Sequence, residues 1–338
     1  MTVRIGINGF GRIGRTVFRA AAARGAELAG ELEIVAVNDL GDVPTMAHLL
    51  AYDSVNGRLA DPVVAEPGAI RVGDRSLAVL AERDPAQLPW GDLGVDVVLE
   101  STGVFTRGEQ ARAHVAAGAR KVIIGAPATG EDATLVLGVN DHTYDPDRHT
   151  VVSNGSCTTN CLAVLAKVLH DAVGIESGLM TTVHAYTQDQ NLHDAPHGDL
   201  RRARAAGLNI VPTSSGAARA IGRVLPELDG RLDAFALRVP VATGSVTDLT
   251  VTTTRPTTVE EVREAYAKAA AGPYKGLLSY TEAPIVSTDI VGDPASCVFD
   301  AELTRITGPQ LKVVGWYDNE WGYSNRLLDL ALMMGRAG

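Results

Sequence analysis

Three cysteines in 338 residues are too few for a disulfide framework, and two of them, Cys157 and Cys161, stand four apart on one predicted helix. A reduced compartment fits this usage. No apolar run approaches the roughly 18 residues that a membrane-crossing helix needs. The chain opens directly into a strand, without a basic segment followed by an apolar one, so no signal peptide is expected and a cytoplasmic location is. Positive charge is in deficit: the net charge is −10. That argues against general nucleic-acid binding and means that an anionic ligand needs a local basic site. Internal repeats and low-complexity linkers are also lacking.

What is present is an alternation. Val3–Ile7 reads as a strand and is followed by a glycine-rich turn and a helix to about Arg24. A second strand, Glu33–Val37, ends in Asn38-Asp39. Val95–Glu100 and Lys121–Ile124 are further strands, with a helix near Gln110–Ala117 between them. Strands alternating with helices predict a doubly wound parallel sheet. After a helix over Cys157–Val173 the pattern changes to β-branched and alternating runs, Leu179–Tyr186, Ala234–Val241, Ser245–Thr254 and Leu311–Tyr317. These predict an antiparallel or mixed sheet. Helices are expected over Val259–Ala271, Ser215–Leu225 and Ser324–Met334. The domains expected are 1–156 and 157–318.

The turn after the first strand carries a mechanism. Gly9 permits the tight turn, Gly11 lets backbone approach a pyrophosphate, and Gly14 lets the helix pack on the strand. With Asp39 ending the second strand, where an acid can bond an adenosine ribose and repel a 2′-phosphate, this is the signature of a Rossmann-type domain binding NAD. Asp39 lies further along than the usual spacing, which an insertion at Ala26–Glu31 explains. Its plainer alternative is an acid that starts a turn.

Ser156-Cys157-Thr158-Thr159-Asn160-Cys161 follows the turn Ser153-Asn154-Gly155 and opens an apolar helix. The positive end of a helix favours an anion, so Cys157 is expected to have a lowered pKa and to act as a nucleophile. The alternative is a buried small hydrophobe, the reading preferred for Cys161 and Cys297. A base is needed, and His184 ends a strong strand. His193 and His197 are separated by Pro196, which breaks the helix a zinc pair would use, so no metal site is read. Arg238, inside an apolar strand, needs a partner, and a phosphate would serve. Thr187 and the Thr213-Ser214-Ser215-Gly216 cluster would suit phosphate too, the latter equally a helix cap. Arg201-Arg202-Ala203-Arg204 reads as a solvated or subunit-facing basic run. Together these features suggest thiol chemistry coupled to hydride transfer.

The glycine turn, Ser156–Cys161, His184–Thr187, Asp199–Arg204, Arg238-Val239-Pro240 and Trp316–Tyr323 resemble the phosphorylating glyceraldehyde-3-phosphate dehydrogenases, in order and along essentially the whole chain. The resemblance implies a first domain that binds NAD, with the C-terminal helix of about 319–338 packed back on it, and an α+β catalytic domain. It implies a glycolytic oxidoreductase that converts glyceraldehyde 3-phosphate and inorganic phosphate to 1,3-bisphosphoglycerate through a thiohemiacetal and a thioester on Cys157, with His184 as base. Thr187 and Arg238 would hold the substrate phosphate. Ser156, Thr158, Ser215 and Gly216 would bind the attacking phosphate. Arg12, Ile13, Asp39, Arg83, Gly125 and Asn319 would contact the cofactor, with Tyr323 near the nicotinamide. Residues 185–206 match the family's S-shaped loop, near cofactor and subunit contacts, and a homotetramer is implied.

The chain departs from the family pattern at Gly125, where many members carry a hydroxyl, and at Ser215, where threonine is commoner. Ala195-Pro196 stands between the Leu-Pro of NAD-preferring members and the Ala-Ser of photosynthetic NADP-using ones. Asp39 and Pro196 favour NAD, while Ala195 leaves NADP use open. The alternatives are erythrose-4-phosphate dehydrogenase, which departs from the Tyr186-Thr187 pattern that this chain keeps, a catalytically silent redox-sensing binding protein, and a thiol hydrolase.

Overall fold

The computed structural model describes residues 2–337, which divide into two compact units: 2–135, Thr143–Gly155 and 324–337 in one, Val136–His142 and Ser156–Tyr323 in the other.

In the first unit the elements are β1 (Val3–Asn8), α1 (Arg12–Ala23), α2 (Gly25–Leu28), β2 (Leu32–Asn38), α3 (Val43–Ala51), β3 (Tyr52–Asp53), β4 (Gly57–Arg58), β5 (Val63–Glu66), β6 (Ala69–Val72), β7 (Arg75–Leu80), β8 (Val97–Glu100), α4 (Gly108–Ala116), β9 (Lys121–Ile124), β10 (Ala133–Thr134) and β11 (Val151–Ser153). Nine strands form one sheet in the order β10-β11-β9-β8-β1-β2-β7-β6-β5. From β10 to β7 every pairing is parallel. The chain runs outward from β1 to β2 on one side and returns to β8 on the other, so the strand order reverses beside β1, where doubly wound sheets take their ligands. β8 and β9 are buried throughout, as strands covered on both faces must be. The expected parallel sheet is extended by an antiparallel β5–β6–β7 meander that the sequence reading did not include. The inferred insertion is the short helix α2.

A buried polar network ties the strand ends together. Glu100 Oε2 accepts from Asn8 Nδ2 at 2.5 Å and lies 3.1 Å from His114 Nε2. His114 Nδ1 accepts from the Trp90 indole at 3.0 Å, which puts the ring's proton on Nε2, facing the carboxylate. Asn8 Oδ1 in turn accepts from Asn38 Nδ2 at 2.7 Å. The ends of β1, β2 and β8 are thereby fixed relative to one another.

The second unit comprises α5 (Cys157–Val173), β12 (Ile175–Ala185), β13 (Val211–Ser214), α6 (Ala217–Val224), β14 (Leu232–Val239), β15 (Ser245–Thr253), α7 (Val259–Ala271), β16 (Leu278–Thr281), β17 (Cys297–Asp300), β18 (Arg305–Thr307), β19 (Gln310–Tyr317) and the start of α8 (Trp321–Arg336). Its eight-stranded sheet runs β13-β14-β12-β15-β19-β17-β16, with β18 on β19. It is mixed: β12 is parallel to β14 and antiparallel to β15. β15 alternates buried and half-buried residues, the period-2 pattern of a strand with one face on a core. That core is α5, whose Leu162, Val164 and Leu165 are fully buried against α6, α7 and the sheet. Each such leucine contributes about 2 kcal/mol by burial. Ser156 caps α5 by accepting from Thr159 N, which fixes where the helix begins and hence where Cys157 stands.

Candidate active site

Cys157 is the first residue of α5 and is partly exposed. Its Sγ lies 3.4 Å from His184 Nε2. His184 is buried next to the end of β12, and its parallel-register partner on β14 is Arg238. That register brings Arg238 Nη1 within 2.8 Å of His184 Nδ1, 3.1 Å of Ala185 O and 3.2 Å of Thr187 Oγ1. Arg238 Nε is buried without a hydrogen-bond partner. Cys157, His184, Thr187 and Arg238 are therefore assembled by one helix start and two adjacent strands.

Burial pushes the Cys157 thiol up to about 11, with the Arg238 charge pulling the other way. This overturns the expected lowered pKa. A helix end is worth at most ~2 kcal/mol, and here desolvation outweighs it. Burial also pushes His184 down to about 3, assisted by Arg238. Burial thus disfavours the charged form of both groups, while the 3.4 Å approach leaves them within reach for proton transfer. Tyr317 packs edge-on to the His184 ring, with centroids 6.0 Å apart.

The hydroxyls near the sulfur have protein partners. Ser156 Oγ is 2.8 Å from Thr159 Oγ1, and Thr158 Oγ1 is 2.8 Å from the buried Tyr317 hydroxyl. Ser215 Oγ accepts from Ala217 N at 3.2 Å, and Gly216 stands at the N-cap of α6, which has no capping side chain. Cys161 and Cys297 are fully buried.

Asp189, which sequence reasoning passed over, and Arg202, read there only as part of the basic run, join the site. Asp189 accepts from the Thr187 hydroxyl and pairs with Arg202, and Arg202 Nε donates to Thr213 Oγ1 at 2.9 Å. Arg204 pairs with Asp194. Two arginines of the basic run hold the 187–213 segment to its own acids, and Arg204 remains exposed. The signal was there: three aspartates, at 189, 194 and 199, precede the arginines.

In the first unit the glycine turn has the shape inferred for it. Gly9 has φ +93°, and a Cβ on it would press on Thr102 N. A Cβ at Gly14 would overlap the Gly9 carbonyl. Gly11 stands at the N-cap of α1 without a capping side chain, and a Cβ there would meet nothing within 4 Å. Open backbone at an uncapped helix start fits a pyrophosphate. Asp39 Oδ2 accepts from Phe10 N at 2.8 Å and Oδ1 from Gly41 N at 3.0 Å, so it braces the turn as well as starting one. Arg12 pairs with Asp53, Ile13 is half-buried in the first turn of α1, and Arg83 is exposed after β7. Gly125 follows β9, and a Cβ there would lie 3.1 Å from Glu100 O, a crowding that suits glycine. In the second unit Asn319 is buried, and its Oδ1 accepts from Ser245 Oγ at 2.9 Å. Tyr323 is buried near the start of α8.

A doubly wound dinucleotide fold in one unit and a cysteine–histidine pair beside an arginine in the other define a thiol-bearing, NAD-dependent dehydrogenase. The family model for the glyceraldehyde 3-phosphate dehydrogenase NAD-binding domain matches residues 3–108, and that for the C-terminal domain matches residues 156–319. The chain is 81% identical to glyceraldehyde-3-phosphate dehydrogenase 1 of Streptomyces avermitilis over 335 residues, 99% of each chain. It is 80% identical to glyceraldehyde-3-phosphate dehydrogenase 2 of Streptomyces arenae, also over 99% of each. Against glyceraldehyde-3-phosphate dehydrogenase of Mycolicibacterium smegmatis it is 61% identical over 340 aligned positions, 100% of each chain. The chain belongs to the glyceraldehyde-3-phosphate dehydrogenase family.

Proposed function

We propose that this chain oxidises glyceraldehyde 3-phosphate with NAD and captures the acyl group on inorganic phosphate, releasing 1,3-bisphosphoglycerate. The observation that carries the proposal is Cys157 Sγ at 3.4 Å from His184 Nε2, with Arg238 alongside. Cys157 attacks the aldehyde carbon while His184 takes the thiol proton, giving a thiohemiacetal. Held as an alkoxide by the His184 ring, that adduct loses hydride and becomes a thioester. NAD, when bound, supplies the hydride acceptor. The thioester then takes attack by inorganic phosphate, and Cys157 leaves as thiolate to regain its proton from His184.

Thr187 and Arg238 hold the phosphate of the triose, and the unpartnered Arg238 Nε supports this. Ser156, Thr158, Ser215 and Gly216 hold the attacking phosphate by the same proposal. For Ser156 and Thr158 this means exchanging the present hydroxyl partners, Thr159 and Tyr317. Gly9, Gly11, Arg12, Ile13, Gly14 and Asp39 would hold the dinucleotide in the first unit, with Arg83 and Gly125. Asn319 and Tyr323 would serve the nicotinamide end. A homotetramer and a cytoplasmic setting belong to the same proposal. No described helix is long and apolar enough to cross a membrane.

The test is NAD reduction by purified protein on glyceraldehyde 3-phosphate with and without inorganic phosphate. Sustained turnover only with phosphate supports the proposal. Phosphate-independent release of free acid would point to a hydrolase, and turnover confined to erythrose 4-phosphate would point to the sister activity.

A further inference from the structure

Gln190 N donates to Thr187 O at 2.9 Å, closing a tight turn over residues 187–190. The turn folds Asp189 back on Thr187, whose hydroxyl donates to Asp189 Oδ1. Asp189 Oδ2 accepts from Arg202 Nη1, and Arg202 Nε donates to Thr213 Oγ1 at 2.9 Å. The Thr187 oxygen itself accepts from Arg238 Nη1 at 3.2 Å. A threonine hydroxyl has one hydrogen and two lone pairs, so the one hydrogen is committed to a carboxylate. Burial raises the Asp189 carboxyl, but the Thr187 hydroxyl and the charges of Arg202 and Arg238 outweigh it and hold the group below the ordinary carboxylate range. Asp189 is thus an anion that already draws on the Arg238 charge, while the buried Arg238 Nε has no hydrogen-bond partner among the described residues.

We infer that Asp189 is a resident anion which the substrate's phosphate must displace from Thr187, so that Asp189 sets how tightly the site holds a phosphate monoester. A phosphate dianion offers only acceptors. Thr187 can therefore hold it only by turning its single hydrogen away from Asp189. Two oxyanions that compete for one hydroxyl hydrogen stand within about 5.5 Å of each other, a separation at which like charges repel. Asp189 keeps Arg202 when phosphate arrives and loses Thr187. While the site is empty, the carboxylate supplies the counter-charge that the partly buried Arg238 would otherwise lack. The consequence has the opposite sign to that of a brace. Removing the charge of Asp189 tightens phosphate binding, whereas removing a residue that merely positions Thr187 would loosen it.

The displacement rests on the proposed substrate-phosphate role of Thr187 and Arg238. The probe is glycerol 3-phosphate, a phosphate monoester with no aldehyde to oxidise, titrated calorimetrically into the full-length protein. Asp189→Asn keeps an acceptor for Arg202 and removes the charge. Its Kd for the probe is expected to be about 10-fold lower than that of the native protein, and KM for glyceraldehyde 3-phosphate to fall with it. On a Thr187→Val background, where no hydroxyl is contested, the same Asp189→Asn step is expected to gain less than about 3-fold. In the native protein the carboxylate ¹³C resonance of Asp189, assigned by its absence in Asp189→Asn, is expected to move when the probe saturates. That measurement needs no variant to bind the probe, so it decides the matter if Asp189→Asn unfolds at a lower temperature than the native protein. An unchanged or raised Kd in a natively stable Asp189→Asn, the full gain persisting on Thr187→Val, or a stationary Asp189 resonance overturns the inference. A probe Kd that Arg238→Gln leaves unchanged would instead overturn the phosphate-site reading itself, so the two failures are distinguishable.

Discussion

His184 Nε2 faces Cys157 Sγ at 3.4 Å, and burial disfavours the charged form of both. Burial holds the thiol up to about 11 and the imidazole down to about 3. Alkylation of Cys157 by iodoacetamide in the ligand-free protein should therefore keep accelerating with pH toward 11 rather than level off near neutrality. The pH–rate profile of modification checks this, and a plateau below pH 8 would show a resting ion pair instead.

The same burial of His184 makes stability depend on pH. Its folded pKa of about 3 lies below the ordinary value of 6.5. The unfolded chain therefore binds a proton first as pH falls. The contribution is fully present above 6.5 and is lost progressively between 6.5 and about 3, on the order of several kcal/mol. Denaturant midpoints at pH 7.5 and pH 5 should differ more in the native protein than in His184→Asn.

Arg238 and Thr187 are proposed to grip the triose phosphate. Charge-assisted hydrogen bonds are worth about 1.5–3 kcal/mol each. Arg238→Gln should lower kcat/KM for glyceraldehyde 3-phosphate by about 10- to 100-fold per lost contact and Thr187→Ala by less, while NAD affinity by calorimetry stays unchanged. Equal losses on phosphorylated and unphosphorylated aldehydes would remove both residues from phosphate binding.

Asp39 has two duties in this account, bracing Phe10 N and meeting the ribose. Asp39→Asn keeps an acceptor for the brace but removes the charge that repels a 2′-phosphate. The ratio of kcat/KM for NAD over NADP should fall in Asp39→Asn without loss of thermal stability. An unchanged ratio would leave Asp39 with only the turn-bracing role.

Much of this architecture was legible because its signals are local. The α5 boundaries at Cys157 and Val173 follow from a Ser cap and an apolar run, and the α7 boundaries at Val259 and Ala271 from a Thr cap and acids in the first turn. The β5–β6–β7 meander was missed because Val63–Glu66 and Ala69–Val72 are short strands with exposed or half-buried positions, so they show no continuous apolar run. At the site, Cys157 was picked out by its place at a helix start, His184 by its strand end, Arg238 by its apolar strand and Thr187 by its hydroxyl. Asp189 and Arg202 were not, because their role depends on how the 187–213 segment folds on itself. The sign of the Cys157 pKa was also out of reach: the helix end is visible in sequence, whereas the burial that outweighs it comes from residues distant in the chain.

The most direct test of the central claim is mass spectrometry of the protein after one turnover with glyceraldehyde 3-phosphate and NAD, phosphate withheld. The account predicts an acyl adduct confined to the peptide containing Cys157, absent in Cys157→Ser, and discharged when inorganic phosphate is added. NADH formed with no adduct on Cys157, or an adduct that phosphate does not discharge, would contradict it.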